Sequence, residues 1–259
     1  MSTRCAEAGI TLLEFDGRSD TETQLNQCEN AIASGADALL FIPFDKDGAA
    51  PIIDNCNEAG IPVICCNNIT TNVDQATAYV GANDVEAGIM ETEYIVDLIG
   101  GKGNIAVVEG PFGHSAQVAR QEGLEQVLAG YPDCKIVLDD TANWNRDEAM
   151  ELVENWIAGG TQIDAIICHN DIMAMGALQA CQDAGLEIPI IGIDATYDAL
   201  CAVKDGTLAA DVYQDVYGQA EEAFNVCMRI LNGETFEQTT YVPFKLITKD
   251  NVDEYLANF

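Results

Sequence analysis

The segment from Ile163 to Asp194, IDAIICHNDIMAMGALQACQDAGLEIPIIGID, constrains the fold more than any other stretch of the chain. Ala165 to Cys168 and Ile190 to Ile193 are short, uninterrupted apolar runs, the pattern of parallel strands covered on both faces. Between them Ile172, Met175, Leu178 and Cys181 recur at helical spacing, so the segment reads as a β-α-β unit. A right-handed crossover points both strands the same way. His169, Asn170, Asp171 and Asp194 then emerge together on the carboxyl edge, beside a helix start, where open α/β sheets bind ligands.

Much the same unit occurs earlier. ADALLFIPFDKDGAAPIIDNCNEAGIPVICCNN, Ala36 to Asn68, repeats the order of apolar run, polar turn, helix, Ala-Gly, Ile-Pro and second apolar run. Ile61-Pro62 corresponds to Ile188-Pro189. Two copies imply two similar α/β lobes. Each has its own polar edge: Phe44 and Asp45 with Asn67 and Asn68 in one, His169 to Asp171 with Asp194 in the other. Each copy needs its own sheet while the chain must cross between them. The expected first lobe is residues 1–82 plus 215–242, and the second is 83–214 plus 243–259.

A chain of 259 residues, 48% apolar and 21% charged, can bury a core in both lobes. The deviation is the net charge of −32, from 43 acids against 11 bases. Such a surface repels phosphate backbones and anionic membranes and argues against nucleic acid as a partner. The acids are scattered, as on a solvated surface, rather than blocked as in a tail. The ten cysteines include no C-x-x-C and no Cys/His cluster of metal-binding type. Cys168, Cys181, Cys201 and Cys227 fall on apolar faces as small hydrophobes.

No stretch is long and apolar enough to cross a bilayer, and no signal peptide opens the chain. Met1 to Asp16 reads as the back half of a helix closed by Gly9, then a strand from Ile10 to Phe15. Leu25, Cys28, Ala31 and Ile32 mark a helix over residues 23–34 that closes at Gly35. A helix after Asp84 is expected to bury Ile89, Met90, Tyr94, Ile95 and Leu98. GKGN at residues 101–104 precedes a strand rather than following one, so it is no phosphate loop. Asn145 and Glu148 have capping-box spacing, which leaves Trp144 exposed at a loop-to-helix junction, placed to wall a ligand. Strands are expected at Leu208 to Tyr213, ending in Gln214, and at Tyr241 to Thr248, interrupted by Pro243.

HNDIMAMGAL at His169 to Leu178, IPIIGIDAT at Ile188 to Thr196 and IPVICCNN at Ile61 to Asn68 make the chain resemble the ribose-type periplasmic sugar-binding proteins. SAQVARQEG at Ser115 to Gly123 and AADVYQDVYGQA at Ala209 to Ala220 follow in the family's order. The family shares its ligand-binding core with lactose-repressor-type regulators. The resemblance implies two doubly wound parallel-sheet lobes joined by a multi-strand hinge, with a ligand cleft between them. It places ligand contacts at Asn170, Asp194 and Gln214, with Trp144 as the ring-stacking aromatic. The family's Asp-Arg pair after the second strand is here Asn67 and Asn68, and a further arginine of the family aligns with Val118. Arg120 reads as structural. Asn67, Asn68 and His114 complete the candidate ligand set. The family's first strand has no counterpart, which would leave a gap in the first sheet.

The implied function is solute binding for a sugar ABC transporter: capture of a small neutral sugar or polyol by hinge closure and presentation to a membrane permease. Neutral amides pair with hydroxyls as donors and acceptors, a carboxylate accepts two, and an aromatic face covers a sugar ring. The reading needs no catalytic residue, cofactor or metal, and it implies a monomer located in the periplasm or outside the cell, associated with the membrane. The alternative is the ligand-sensing core of a transcription regulator or chemoreceptor; a repressor would need a basic helix-turn-helix headpiece. An enzyme is the third class, for which His114 and His169 are the only histidines available as a base.

Overall fold

The computed structural model describes residues 1–257 and 259. Its helices are α1 (Ser2–Glu7), α2 (Thr21–Ala33), α3 (Ala50–Ala59), α4 (Asp84–Leu98), α5 (Ser115–Leu128), α6 (Arg146–Ala158), α7 (Asp171–Asp183), α8 (Tyr197–Asp205), α9 (Val216–Leu231) and α10 (Val252–Leu256). Its strands are β1 (Leu39–Phe41), β2 (Val63–Asn67), β3 (Ala78–Gly81), β4 (Gly103–Glu109), β5 (Cys134–Thr141), β6 (Ala165–Cys168), β7 (Ile190–Ile193), β8 (Ala210–Tyr213), β9 (Thr239–Tyr241) and β10 (Lys245–Ile247). None of the helices is long and apolar enough to cross a membrane.

The chain divides into two compact units, each with its own sheet. Unit 1 is Met1–Ala82, Gly113–Ser115 and Asp215–Pro243; unit 2 is Asn83–Phe112, Ala116–Gln214 and Phe244–Phe259. Residues 113–115, expected in the second lobe, join unit 1, where Ser115 Oγ accepts from the Ile69 amide at 3.2 Å.

Unit 1 holds a parallel sheet in the order β1-β2-β3-β9. Alternation along β2 sends Val63 and Cys65 to a core with Cys28, Ile52, Ile53 and Cys56. Ile64 turns the other way, toward Val80, Ala223 and Val226. The described strands are contiguous, so the gap expected in this sheet is not present within it. Residues 10–15 are not a strand. They are mostly exposed and form no ladder with a neighbour, and a strand exists only through its ladder. Helix α2 begins at Thr21, ahead of the expected start, because Asp20 caps the Thr23 amide at 2.7 Å.

Unit 2 holds six strands in the order β10-β8-β7-β6-β4-β5, parallel except for β10 at the edge. The chain winds outward from β4 in both directions, which places the topological switch point between β4 and β6. Ile166, Cys168, Met173, Ala174, Ala177, Ile190 and Leu200 pack one face. On the other face α4 departs from its expected orientation: Ala87, Gly88, Glu91, Thr92, Ile95 and Val96 are buried, whereas Leu98 is exposed. Glycines decide this. A Cβ on Gly88 would overlap the Arg120 carbonyl, and one on Gly123 would overlap the Val85 carbonyl. Helices α4 and α5 therefore meet backbone to backbone, which turns small residues and Glu91 inward. The expected last strand is two strands: Pro243 separates β9, in the sheet of unit 1, from β10, in that of unit 2.

The internal repeat is physical. Leu39 pairs with Val63 and Ile166 with Ile190, at the same sequence offset. Helices α3 and α7 both end near a left-handed glycine, Gly60 and Gly185, each at φ 70°. The following amides, Ile61 and Leu186, bond back to Cys56 and Cys181 at 2.9 Å in both copies.

Candidate functional site

In unit 2 the carboxyl ends of the parallel strands carry Glu109 (β4), Asn170 just past β6, Asp194 just past β7 and Gln214 just past β8. Asn170 is the N-cap of α7; its Oδ1 accepts from the Met173 amide at 3.0 Å, so its Nδ2 donors are not used by the cap. Asp194 has φ 131° and Ala195 φ 60°, two consecutive residues in backbone regions that favour glycine. Such strain persists where the surrounding fold over-determines it, and it clusters at ligand sites. Burial is the main cause that pushes the Asp194 carboxyl up to about 7, against the pull of Arg120. Near neutral pH this side chain can accept a hydrogen bond or, protonated, donate one. Gln214 is buried, with 7% of its surface exposed.

Trp144 is half-buried against the core of unit 2, not exposed as expected. Its backbone is left-handed at φ 58°, and its indole lies where a side chain on Gly110 would have to sit. The Arg120 guanidinium stands 5.9 Å from the ring. The capping box is half formed: Asn145 Oδ1 accepts from the amides of Asp147 (2.8 Å) and Glu148 (3.1 Å). Glu148 Oε2 does not return to the cap; it accepts from Asn143 Nδ2 at 2.7 Å.

Three further buried groups bear on this site: Arg120, read from sequence as structural, and Glu91 and Glu109, which the sequence reading did not single out. Arg120 bonds Asp84 Oδ1 through Nε (2.9 Å) and Nη2 (2.8 Å), and donates from Nη1 to the His169 carbonyl. Its charge also acts on Asp194 and Glu91. Glu91 is fully buried with neither carboxyl oxygen hydrogen-bonded among the described residues, and burial pushes it well above the usual carboxylate range. Glu109 accepts from Gln117 Nε2 at 2.6 Å, and burial raises it too. His169, read from sequence as part of the polar edge, instead packs inside: it is fully buried, and burial holds its imidazole neutral, down to about 3.

In unit 1 Asn67 and Asn68 end β2. Asn67 is left-handed at φ 60°; its Nδ2 donates to Gln219 Oε1 at 2.9 Å, and its carbonyl accepts from the Tyr79 hydroxyl at 2.6 Å. Asn68 Nδ2 donates to the Pro43 carbonyl at 3.0 Å and lies 3.2 Å from His114 Nε2. The Phe44 ring meets His114 edge-on at 6.3 Å. Asp45 is turned to its own loop, accepting from the amides of Asp47 (3.0 Å) and Gly48 (2.5 Å). Unit 1 thus brings Asn67, Asn68 and His114 together, and unit 2 brings Trp144, Asn170, Asp194 and Gln214 to one sheet edge.

A concavity of about 760 Å³ lies at the opposite, amino edge of the unit 2 sheet, lined by Lys102, Asp133, Gln162 and Asp164. Asp164 is committed there to the Asn104 amide (2.7 Å) and Gln162 Nε2 (2.9 Å).

The family model described as a periplasmic binding protein domain matches residues 1–235. The xylitol-binding protein of Mycolicibacterium smegmatis is 38% identical over 255 residues, covering 98% of this chain and 73% of that protein. A ribose import binding protein of Bacillus subtilis is 30% identical, covering 93% of this chain and 78% of that one. Among solved structures, an ABC transporter solute-binding protein from Bacillus halodurans with bound myo-inositol superposes with a TM-score of 0.95 at 37% identity, over 100% of this chain and 90% of that one. The myo-inositol-binding protein of Caulobacter, bound to myo-inositol, gives 0.94 at 28% identity, with coverage of 100% and 90%. With a βαβ repeat, two parallel-sheet units and a family match over most of its length, the chain belongs to the periplasmic binding proteins.

Proposed function

We propose that this chain is the solute-binding component of a sugar or polyol ABC transporter, and that its ligand is a small neutral polyhydroxylated molecule. The observation that carries the ligand class is the state of Arg120. Of the cations near the candidate residues of unit 2 it is the buried one, and its Nε and Nη2 are committed to Asp84. An anionic sugar phosphate or carboxylate needs a convergent cation with donors to spare. Asn67, Asn68, Asn170 and Gln214 offer uncharged donors and acceptors, Asp194 takes hydroxyls, and Trp144 offers a ring face. A relative named for xylitol, and two structures holding myo-inositol, support the polyol class.

Ligand capture in this reading involves no chemistry on the solute. Domain closure around the ligand, a general behaviour of periplasmic binding proteins, presents it to a membrane permease. The protein acts as a monomer outside the cytoplasmic membrane, without nucleic acid as a partner. The test is a thermal-shift screen of cyclitols, pentitols, pentoses and hexoses beside sugar phosphates and amino acids. A ligand at a hundredfold excess over its Kd stabilises the folded state by about 2.7 kcal/mol, a readable rise in Tm. Response to sugar phosphates or amino acids alone would overturn the neutral-ligand reading.

A further inference from the structure

Asp171 opens α7 immediately after Asn170, and Asp211 lies on β8 opposite Gly192 of β7. A Cβ on Gly192 would come within 2.5 Å of Asp171 Oδ1. The missing side chain is therefore what lets the Asp171 carboxyl lie against β7, beside the strand that carries Asp211, and the two carboxyls act on each other. Each acid gives one oxygen to the loop after β7: Asp171 Oδ2 accepts from the Thr196 amide at 2.6 Å, and Asp211 Oδ1 from the Ala195 amide at 3.2 Å. The remaining oxygens, Asp171 Oδ1 and Asp211 Oδ2, have no donor among the described residues, and both side chains are fully buried. Two carboxylates cannot satisfy each other, whereas a carboxylic acid and a carboxylate can.

We propose that Asp171 and Asp211 share one proton, and that the resulting carboxyl–carboxylate hydrogen bond is a positioning device that sets Asn170 and Asp194 for the ligand. The proposal rests on the reading of those two residues as ligand contacts. The pair joins the start of α7 to residues 195 and 196, the two that follow Asp194, so one proton fixes both ligand-bearing loops.

The surroundings favour keeping that proton. Asp194 after β7 and Cys168 of β6 stand near Asp171, the charge of Asp211 acts on Glu91 of α4 and on Asp194, and β10 places Ile247 opposite Asp211. Arg120 of α5 acts on Asp84, Asp194 and Glu91, not on this pair. Burial and then the charge of Asp211 push Asp171 well above the usual carboxylate range, while burial pushes Asp211 up to about 6. Both shifts are upward, so the stabilisation is complete below the ordinary carboxylate range and is lost as pH rises through the folded-state values.

The test uses the whole protein, wild type beside Asp211→Asn and Asp211→Ala, with myo-inositol and xylitol as probes in calorimetric titrations from pH 5 to pH 9. An asparagine amide donates to Asp171 at every pH; alanine leaves Asp171 unpaired. Asp211→Ala should bind roughly tenfold or more weakly at pH 5. Asp211→Asn should restore most of that affinity and show a flatter pH profile than wild type, since the Asp171–Asp211 proton is then no longer lost as pH rises. Alanine binding as tightly as wild type, or an asparagine profile parallel to wild type, overturns the proposal. If neither polyol binds wild type, the ligand reading fails and the ligand-free proteins decide the shared proton. In that arm the wild-type Tm should fall more than that of Asp211→Asn between pH 5 and pH 9, and parallel falls overturn it.

Discussion

The indole of Trp144 fills the space that a side chain at Gly110 would occupy, with its Cζ2, Cη2 and Cε2 atoms against the glycine. Thr141 Oγ1 donates to the Gly110 carbonyl at 2.8 Å, so the glycine backbone is held while the ring rests on it. The ring plane is set by the absence of one methyl group.

Gly110→Ala should therefore tilt Trp144 out of its present plane. Overpacking of this kind costs roughly 1–3 kcal/mol. The expected outcome is a lower Tm, altered tryptophan fluorescence and weaker ligand binding. Unchanged affinity with a displaced ring would take Trp144 out of the ligand site.

Asp194 combines a glycine-favouring backbone, φ 131°, with a buried carboxyl raised to about 7. Replacing it by glycine relieves backbone strain of about 1–3 kcal/mol. It also removes a carboxyl whose raised value costs stability as pH climbs from the ordinary range through 7. Asp194→Gly should melt higher than wild type at pH 8 and bind at least about tenfold more weakly. Calorimetry with scanning melts reads both effects, and a variant that binds normally would exclude Asp194 from recognition.

Arg120 neutralises Asp84 and acts on Glu91 and Asp194. Arg120→Met keeps much of the apolar volume but strands these carboxyls. Breaking a buried ion pair by removing one partner costs about 3–5 kcal/mol. The expected urea midpoint is markedly lower at pH 8 than wild type, with partial recovery at pH 5 as the stranded acids protonate. An equal deficit at both values would mean that the loss is packing and not charge.

His169 titrates in the opposite sense. Burial lowers it from 6.5 to about 3, so its contribution to stability is complete above 6.5 and is lost as pH falls toward 3. Both ring nitrogens lack a hydrogen bond among the described residues. His169→Leu should remove the acid-side loss, making the Tm decline between pH 6.5 and pH 4 shallower than in wild type. Identical slopes would place the acid sensitivity elsewhere.

The βαβ units were legible because burial on both faces forces uninterrupted apolar runs, and Ala165 to Cys168 and Ile190 to Ile193 become β6 and β7 as read. The positions of Asn170, Asp194 and Gln214 at strand ends followed from parallel topology alone. Helix α4 was misread because apolar periodicity marks a buried face only when packing is by side chains; Gly88 and Gly123 replaced it with backbone contact. The stretch from Ile10 to Phe15 has strand composition, yet a strand requires a neighbour, which local sequence does not supply.

Sequence determined the repeat, the parallel sheets and the family, because these depend on local periodicity and on residue types in a fixed order. Tertiary structure decided the electrostatics. The company of Arg120, the burial of Glu91 and His169, and the meeting of Asp171 with Asp211 over Gly192 all join residues from different elements. Desolvation and charge proximity are properties of three-dimensional neighbours, and no spacing along the chain encodes them.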